Sequence, residues 1–292
     1  MYLVTGAAGH LGQAVINHLL TTYKVPADKI IAATRDISKL DHLKSKGVHV
    51  RSADFDHQES LVKAFEGATR LLLISTDAME AGKREVQHLK AVSAAEMAGV
   101  SHLVYTSLHK ADTSAVTFAS DHVHTEKFIA DGKFKGHSIL RNNWYFENVF
   151  FALPQALKSG TQYSAAGQGK IAHIARDDLA RAAAAALASD KNEKATYELS
   201  GGEEYTTEQI AALVSKATGK PLAVVHVPVE GLVQGMLGAG LPEGMARTFA
   251  SFDEAIAKGA MSGTSADFKK MTGAEPMKFE DWLKKNAAAL VA

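Results

Sequence analysis

Apolar positions in the first half of the chain alternate between short runs and helical stripes. Residues 2–4 form a short apolar run. After it, Leu11, Val15, Ile16, Leu19 and Leu20 recur three and four apart, the spacing of one helix face. Pro26 separates that helix from a second strand at 29–34, and a short helix over 37–45 leads to a strand at 48–51. Next come a helix at 59–66, a strand at 70–75 and a long helix at 83–98 closed by Gly99. A strand at 102–107, a helix at 119–131 and a strand at 136–142 complete six strand–helix repeats by about residue 150. The strand at 70–75 is aliphatic without alternation, which suits the buried centre of a parallel sheet. The pattern predicts an α/β fold, a doubly wound parallel sheet of the Rossmann type.

Beyond residue 150 the pattern loosens. A glycine-broken segment holds Tyr163, Gly167, Gly169 and Lys170, and an alanine-rich helix over 176–188 is expected to start at Asp177. A strand at 196–199, a helix at 206–216, a strand at 222–227 and a mostly helical end from Gly231 follow. We expect residues 1–150 to form a nucleotide-binding domain and residues 151–292 a smaller C-terminal α/β substrate lobe, partly interleaved with the first.

Composition narrows the class of partner. The 292 residues carry 32 Lys and Arg against 32 Asp and Glu, a balance that points away from nucleic acid and anionic membrane surfaces. Absence of cysteine excludes a disulfide, a thiol nucleophile and a thiolate metal site. No apolar run reaches the roughly 18 residues of a membrane span, and Gly6 falls inside a fold motif where a cleavable signal would lie. A cytoplasmic protein acting on small molecules is expected, with a homodimer left open.

The first candidate site is the turn Gly6-Ala7-Ala8-Gly9-His10-Leu11-Gly12 between the first strand and its helix. Gly6 suits a tight turn, Gly9 a close approach of main chain to a pyrophosphate, and Gly12 close helix packing, while free amides at the helix start attract phosphate charge. The spacing Gly-x-x-Gly-x-x-Gly differs from the commoner Gly-x-Gly-x-x-Gly and is that of atypical and extended short-chain dehydrogenases. At the tip of the second strand, where such folds meet the adenosine ribose, Arg35 precedes Asp36. A guanidinium offers a 2′-phosphate a charge-assisted donor, so NADP(H) is favoured over NAD(H). Asp54 and Phe55 after the third strand are candidates for the adenine, with a turn aspartate and a core phenylalanine as the competing reading. Ser75, Thr76 and Asp77 end the fourth strand, at the edge where open α/β sheets bind ligands, and Ser107 ends the fifth.

Catalysis by the usual short-chain dehydrogenase tyrosine is excluded by counting. Tyr2, Tyr23, Tyr105, Tyr145, Tyr163, Tyr197 and Tyr205 all lack a lysine four residues on. The corresponding helix carries Asp121-His-Val-His-Thr-Glu-Lys127, where His122 with Glu126 offers a proton shuttle or, equally, an exposed helical pair, and Lys127 is placed to reach a ribose. His122 and His124 point to different faces, so no metal is expected. The segment Arg141-Asn142-Asn143-Trp144-Tyr145 follows a strand end and supplies amides and flat rings for a nicotinamide or a planar acceptor.

Taken together, these segments resemble the NmrA-like atypical short-chain dehydrogenase family, within it the branch of NAD(P)H:quinone oxidoreductases of type 2, with the triphenylmethane reductases as near relatives. The resemblance rests on Thr5-Gly-Ala-Ala-Gly-His-Leu-Gly12, Thr34-Arg35, Leu72-Leu-Ile-Ser75, Tyr105-Thr-Ser107, His124-Thr-Glu-Lys127, Leu140-Arg-Asn-Asn-Trp-Tyr145 with Glu147-Asn148, and Ala165-Ala-Gly-Gln-Gly-Lys-Ile171. It implies an NADPH site at residues 6–12, Arg35, Ser75–Asp77 and the loop from Arg141 to Phe146, with Lys170 near the pocket, NADH as a weaker cofactor, and no flavin or metal. Family members carry threonine and glutamine where this chain has Ala8 and His10. The implied reaction is reduction of a quinone by direct hydride transfer. A dye reductase, or a redox-sensing NADP-binding protein without catalysis, is the alternative.

Overall fold

A computed structural model describes residues 1–80 and 82–292. The chain runs β1 (Tyr2–Val4), α1 (His10–Thr21), β2 (Ile30–Thr34), a 3₁₀ turn at Ile37–Leu40, α2 (Asp41–Lys44), β3 (His49–Ser52) and α3 (Gln58–Phe65). It continues through β4 (Arg70–Leu73), α4 (Lys83–Met97), β5 (His102–Leu108), α5 (Ala119–Asp131), β6 (Gly136–Asn142), a 3₁₀ turn at Phe146–Phe151 and α6 (Leu153–Ser159). Then follow β7 (Thr161–Ser164), α7 (Arg176–Ala188), β8 (Lys194–Leu199), α8 (Thr207–Thr218), β9 (Ala223–His226), α9 (Val229–Gly238), α10 (Glu243–Ala257), α11 (Asp267–Thr272) and α12 (Phe279–Val291).

Seven parallel strands pair in the order β3-β2-β1-β4-β5-β6-β8. The order reverses at β1, so a crevice opens beyond the carboxyl ends of β1 and β4. Val4 lies opposite both Ala32 and Leu72, which brings the turn after β1 level with the ends of its two neighbours.

Alternation along each strand sorts the core onto two faces. Val4, Ala32, Leu72, Val104 and Leu140 pack under α1 and α7, against Val15, Ile16, Leu179 and Ala183. Leu3, Ile31, Leu71, Leu73 and Leu103 face α3, α4 and α5, against Leu61, Phe65, Val92 and Ile129. Each such valine, leucine, isoleucine or phenylalanine, fully removed from water, contributes about 1.5–3 kcal/mol. Arg70 begins a buried strand because its guanidinium donates to Ala186 O (3.0 Å) and Leu187 O (2.9 Å), carbonyls in the last turn of α7 that have no helical partner.

Most helix and strand types follow the sequence pattern, but it does not predict the 3₁₀ turn at Phe146–Phe151 or α6, the helix expected over 37–45 is a 3₁₀ turn followed by the short α2, and other elements differ in detail. The strand at 70–75 ends at Leu73, because the next amides turn to side chains: Ile74 N–H donates to Thr5 Oγ1 (2.9 Å) and Ser75 N–H to Thr106 Oγ1 (2.8 Å). The glycine-broken segment after residue 160 contains a strand, β7, which pairs in parallel with β9 in a separate two-stranded sheet. Helix α7 starts at Arg176 with Ala175 as its cap, so Asp177 sits inside the first turn. Residues 176–199 lie beyond position 150, yet α7 covers the main sheet and β8 extends it beside β6. Among the described residues no helix is long and apolar enough to cross a membrane.

Candidate active site

The glycine turn is a main-chain cradle. Gly6 has φ +59°, a left-handed conformation, and its carbonyl accepts from Gly9 N–H at 2.9 Å. A Cβ on Gly9 would stand 3.3 Å from that carbonyl oxygen, and one on Gly12 would stand 2.4 Å from it and 2.8 Å from Ala7 Cα. Helix α1 starts with no side-chain cap and no acidic residue in its first turn, which leaves its leading amides and the positive end of its dipole facing the crevice. Ala7 and Leu11 are buried beneath the turn, while His10 is exposed on it and Ala8 half-buried. These features fit a dinucleotide pyrophosphate.

Beyond β2, Asp36 accepts from Ser38 N–H (3.1 Å) and Ser38 Oγ (2.6 Å) and so caps the following 3₁₀ turn. Arg35 is exposed and has no ion-pair partner among the described residues, which leaves its guanidinium to the crevice or to solvent. Asp54 accepts from Asp56 N–H at 3.0 Å in a local turn, and Phe55 lies half-buried at the edge of the core. Both therefore have local structural work besides any contact with an adenine.

The loop after β4 is held from behind by buried polar side chains of α4 and α5. Arg84 donates to Thr76 O and, at 3.1 Å, to Ala78 O, with its guanidinium over the Phe118 ring at 4.4 Å. Thr76 N–H donates to His88 Nε2 at 3.0 Å, so the His88 proton sits on Nδ1, 3.1 Å from both Thr125 Oγ1 and Tyr105 Oη. Thr125 gives its own proton to Asp121 O (2.6 Å), and Tyr105 O–H donates to His122 Nδ1 (2.7 Å). Burial, with the Arg84 charge added, pushes His88 down to about 3 and His122 well below its ordinary range. His122 is thus a buried neutral imidazole. It is neither a proton-donating imidazolium nor an exposed member of a helical pair, whereas His124 is exposed beside Glu85 at 3.1 Å. Ser75 is half-buried beside Thr106, and Asp77 is exposed.

At the ends of β5 and β6 the expected ligands are largely occupied by one another. Ser107 Oγ donates to Glu126 Oε1 (2.5 Å), and Arg141 grips the same carboxylate through Nε (3.0 Å) and Nη2 (2.7 Å), with Nη1 3.3 Å from Glu198. The Arg141 guanidinium is therefore an internal clamp rather than a free cofactor ligand. Asn143 is also a brace: its amide donates to Met261 O (3.1 Å), its side-chain oxygen accepts from Trp144 N–H (2.7 Å), and its own N–H donates to Leu199 O (2.8 Å). That leaves it little capacity for a carboxamide. Asn142 is buried, and its Oδ1 has no hydrogen-bond partner among the described residues. Lys127 and Lys170 are exposed side chains, away from these networks.

Trp144 and Tyr145 diverge. Trp144 packs on Phe252 of α10 with ring centroids 4.0 Å apart, and Phe252 meets Phe118 at 6.0 Å, so the three rings form one aromatic cluster. Gly169 fits beneath α10 because a Cβ there would stand 2.3 Å from Ile256 O. Tyr145 packs against the edge of the core under α1 and α7, with Arg176 over its ring at 5.6 Å. Burial raises the Tyr145 phenol above its ordinary value, so it stays protonated at neutral pH.

The NmrA-like family profile matches residues 2–283. The chain belongs to the NmrA-like family. Among relatives of this NmrA-like chain, quinone oxidoreductase 2 of Escherichia coli is 38% identical over 273 residues, covering 94% of each chain. The crystal structure of the E. coli NADPH-dependent quinone oxidoreductase complexed with NADPH superposes with a TM-score of 0.91, at 36% identity and full coverage of both chains. The triphenylmethane reductase of Citrobacter sp. complexed with NADP(H) gives a TM-score of 0.89 at 37% identity, covering 98% of this chain and 99% of that one.

Sequence reasoning missed the residues that act only after folding. Phe118 and Phe252 are 134 positions apart and meet across α5 and α10, with no local signal. Arg84, Gln87 and His88 carried one: they continue the buried stripe of Ala91, Val92 and Ala95 at helical spacing. Polar residues on the core-facing stripe of a helix mark buried polar work.

Proposed function

We propose that this protein is an NADPH-dependent reductase of small quinones. What carries the reading is the full-length similarity to a quinone oxidoreductase whose NADPH complex superposes on this chain, together with an intact main-chain cradle at residues 6–12. Bound NADPH supplies the hydride in this reading.

The protein's part is holding and shaping. Amides at the start of α1 hold a pyrophosphate, and Arg35 takes a 2′-phosphate and so ranks NADPH above NADH. Arg84 and His88 fix the loop from Ser75 to Ala78 that borders the crevice. Trp144, Phe252 and Phe118 offer flat apolar surface to a planar acceptor and keep water from one face of it. No tyrosine has a lysine four residues on, and His122 is neutral, so proton delivery falls to solvent or to the protonated Tyr145 phenol. An electron-poor quinone needs little acid help, and positioning is the main contribution to rate.

The direct test is NADPH consumption by the purified chain with benzoquinones and naphthoquinones. Turnover with the panel is expected, and tight NADPH binding without turnover on any of them would reject the reading. Similarity to triphenylmethane reductase makes a triphenylmethane dye the natural second acceptor in the same assay.

A further inference from the structure

Helix α10 carries apolar side chains on two faces. Ala246 and Ala250 are buried with Val233 of α9, as an amphipathic helix requires. Met245, Phe249 and Phe252 follow at helical spacing on another side, and each stays partly open, Met245 at 38%. Phe249 and Phe252 belong to a run of rings. Trp144 meets Phe252 at 4.0 Å and Phe118 meets it at 6.0 Å, Phe252 meets Phe249 at 6.3 Å, and Phe249 stacks with Phe151 at 6.2 Å. Phe151, at the end of the 3₁₀ turn after β6, is 74% exposed, whereas Phe150 beside it packs on Trp282 at 5.8 Å.

The inner end of the run lies at the carboxyl edge of the main sheet. Trp144 stands just beyond β6, and Phe118 precedes α5, packed against the Arg84 guanidinium that holds Thr76 O and Ala78 O after β4. The outer end reaches solvent at Phe151. The helix between them is tied on both sides. Thr117 N–H donates to Ser251 Oγ (3.2 Å), and Asp253 accepts from Ser164 Oγ (2.8 Å) and Ala165 N–H (2.6 Å). Rings already fixed in place lose water to an apolar chain with little further ordering cost. A lone exposed phenylalanine needs no explanation. Five partly open rings in unbroken sequence from the sheet edge to the surface form a track.

We propose that this track takes a hydrocarbon chain on the electron acceptor, so that the preferred substrates are quinones bearing an alkyl or isoprenoid substituent. The inference rests on the quinone reading and goes beyond it: Trp144, Phe252 and Phe118 meet the quinone ring, and Phe249 and Phe151 meet its chain. The five side chains are aromatic hydrocarbon apart from the Trp144 N–H, so recognition of the chain is by covered apolar area and does not require a polar group on it.

The test compares 2-methyl-1,4-naphthoquinone with the same ring carrying a hexyl chain beside the methyl group, as substrates with NADPH and, by equilibrium dialysis, as ligands of the protein loaded with NADP⁺. The chain should lower KM and the dissociation constant about tenfold, the effect of covering about two methylene groups. Phe151→Ser, at an exposed position on which the core does not depend, should cut that preference to about threefold, and adding Phe249→Ser should cut it below about twofold. NADPH affinity and KM for the ring without the chain should stay within about twofold throughout. Equal KM for both quinones at normal turnover overturns this inference and leaves the proposed activity standing. If neither quinone is turned over, the activity fails and dialysis decides the track alone: binding that neither the chain nor Phe151→Ser changes overturns it. A chain preference that survives the double replacement overturns it too. So does a concentration-dependent dimer in sedimentation that Phe151→Ser dissolves, which makes this face a contact between copies.

Discussion

The two sides of the strand-end crevice are built from different materials. Beside β1 and β2 the site is main chain: a left-handed Gly6, a helix start without a cap, and a Gly12 whose hydrogen stands where a Cβ would meet Gly6 O at 2.4 Å. Beside β4, β5 and β6 it is a lattice of buried and half-buried side chains, Arg84, His88, Tyr105, Glu126, Arg141 and Asn143, gathered from α4, α5, β5, β6 and the residue after β6. The first half depends on geometry and is indifferent to pH. The second depends on protonation states and partner counts. Each half should therefore fail to its own kind of perturbation.

The largest effect is expected from Gly12→Val. Its side chain would collide with main chain at Gly6 and Ala7, where nothing flexible can give way. NADPH binding should be lost by calorimetry and the thermal midpoint should fall. Retention of near-native NADPH affinity would show that the turn is softer than its geometry implies.

Acid should strike the other half. An imidazole whose folded pKa lies below its unfolded value binds its proton only in the unfolded chain between the two. Stability is then full above pH 6.5 and falls as pH drops toward about 3, the folded value for both His88 and His173. Each should cost about 2 kcal/mol by pH 5. Denaturant midpoints between pH 7 and pH 5 read this directly, and His88→Phe should flatten the slope by about one proton. A slope unchanged by that replacement would mean His88 is not held neutral. Among the described residues the glycine half has no buried histidine, so acid loss of NADPH binding should track global unfolding.

This division also explains what could be seen in the sequence. Strands, helices and the glycine turn are written in local periodicity and spacing, and the boundaries of α5 and β6 match the apolar pattern to the residue. Competition between local and distant partners is not. Nothing near Arg141 in sequence announces Glu126 or Glu198, and nothing near Asn143 announces Met261 O, so the sequence offers both as ligand candidates and is silent on the internal partners they hold. His122 shows the same limit: its neighbours on the helix are polar, yet its environment is set by Tyr105 and His88 from two other elements.

A smaller effect, confined to one cofactor, is expected at Arg35. Loss of a charged hydrogen bond in Arg35→Ala should weaken NADPH relative to NADH by roughly 1.5–3 kcal/mol. Dissociation constants for the two cofactors decide it. Equal losses for both would move the 2′-phosphate contact away from the tip of β2 and leave that side of the crevice purely main chain.

The smallest effect should come from the residue that sequence logic would most readily make a catalyst. Tyr145 carries a protonated phenol, but no lysine stands four residues on to tune it, and burial raises its pKa rather than lowering it. The ring packs against the core under α1 and α7 with Arg176 above it, and Tyr145→Phe keeps the ring. Turnover with a quinone should then fall by less than the ~10²-fold that begins the range for a general acid. His122→Phe should behave alike, because burial holds the imidazole neutral and no imidazolium acid is present at neutral pH. Steady-state rates at saturating NADPH separate the cases. If Tyr145→Phe abolishes turnover while NADPH still binds, proton delivery is a side-chain function, and the β4–β6 side of the crevice takes part in the chemistry as well as in holding the site.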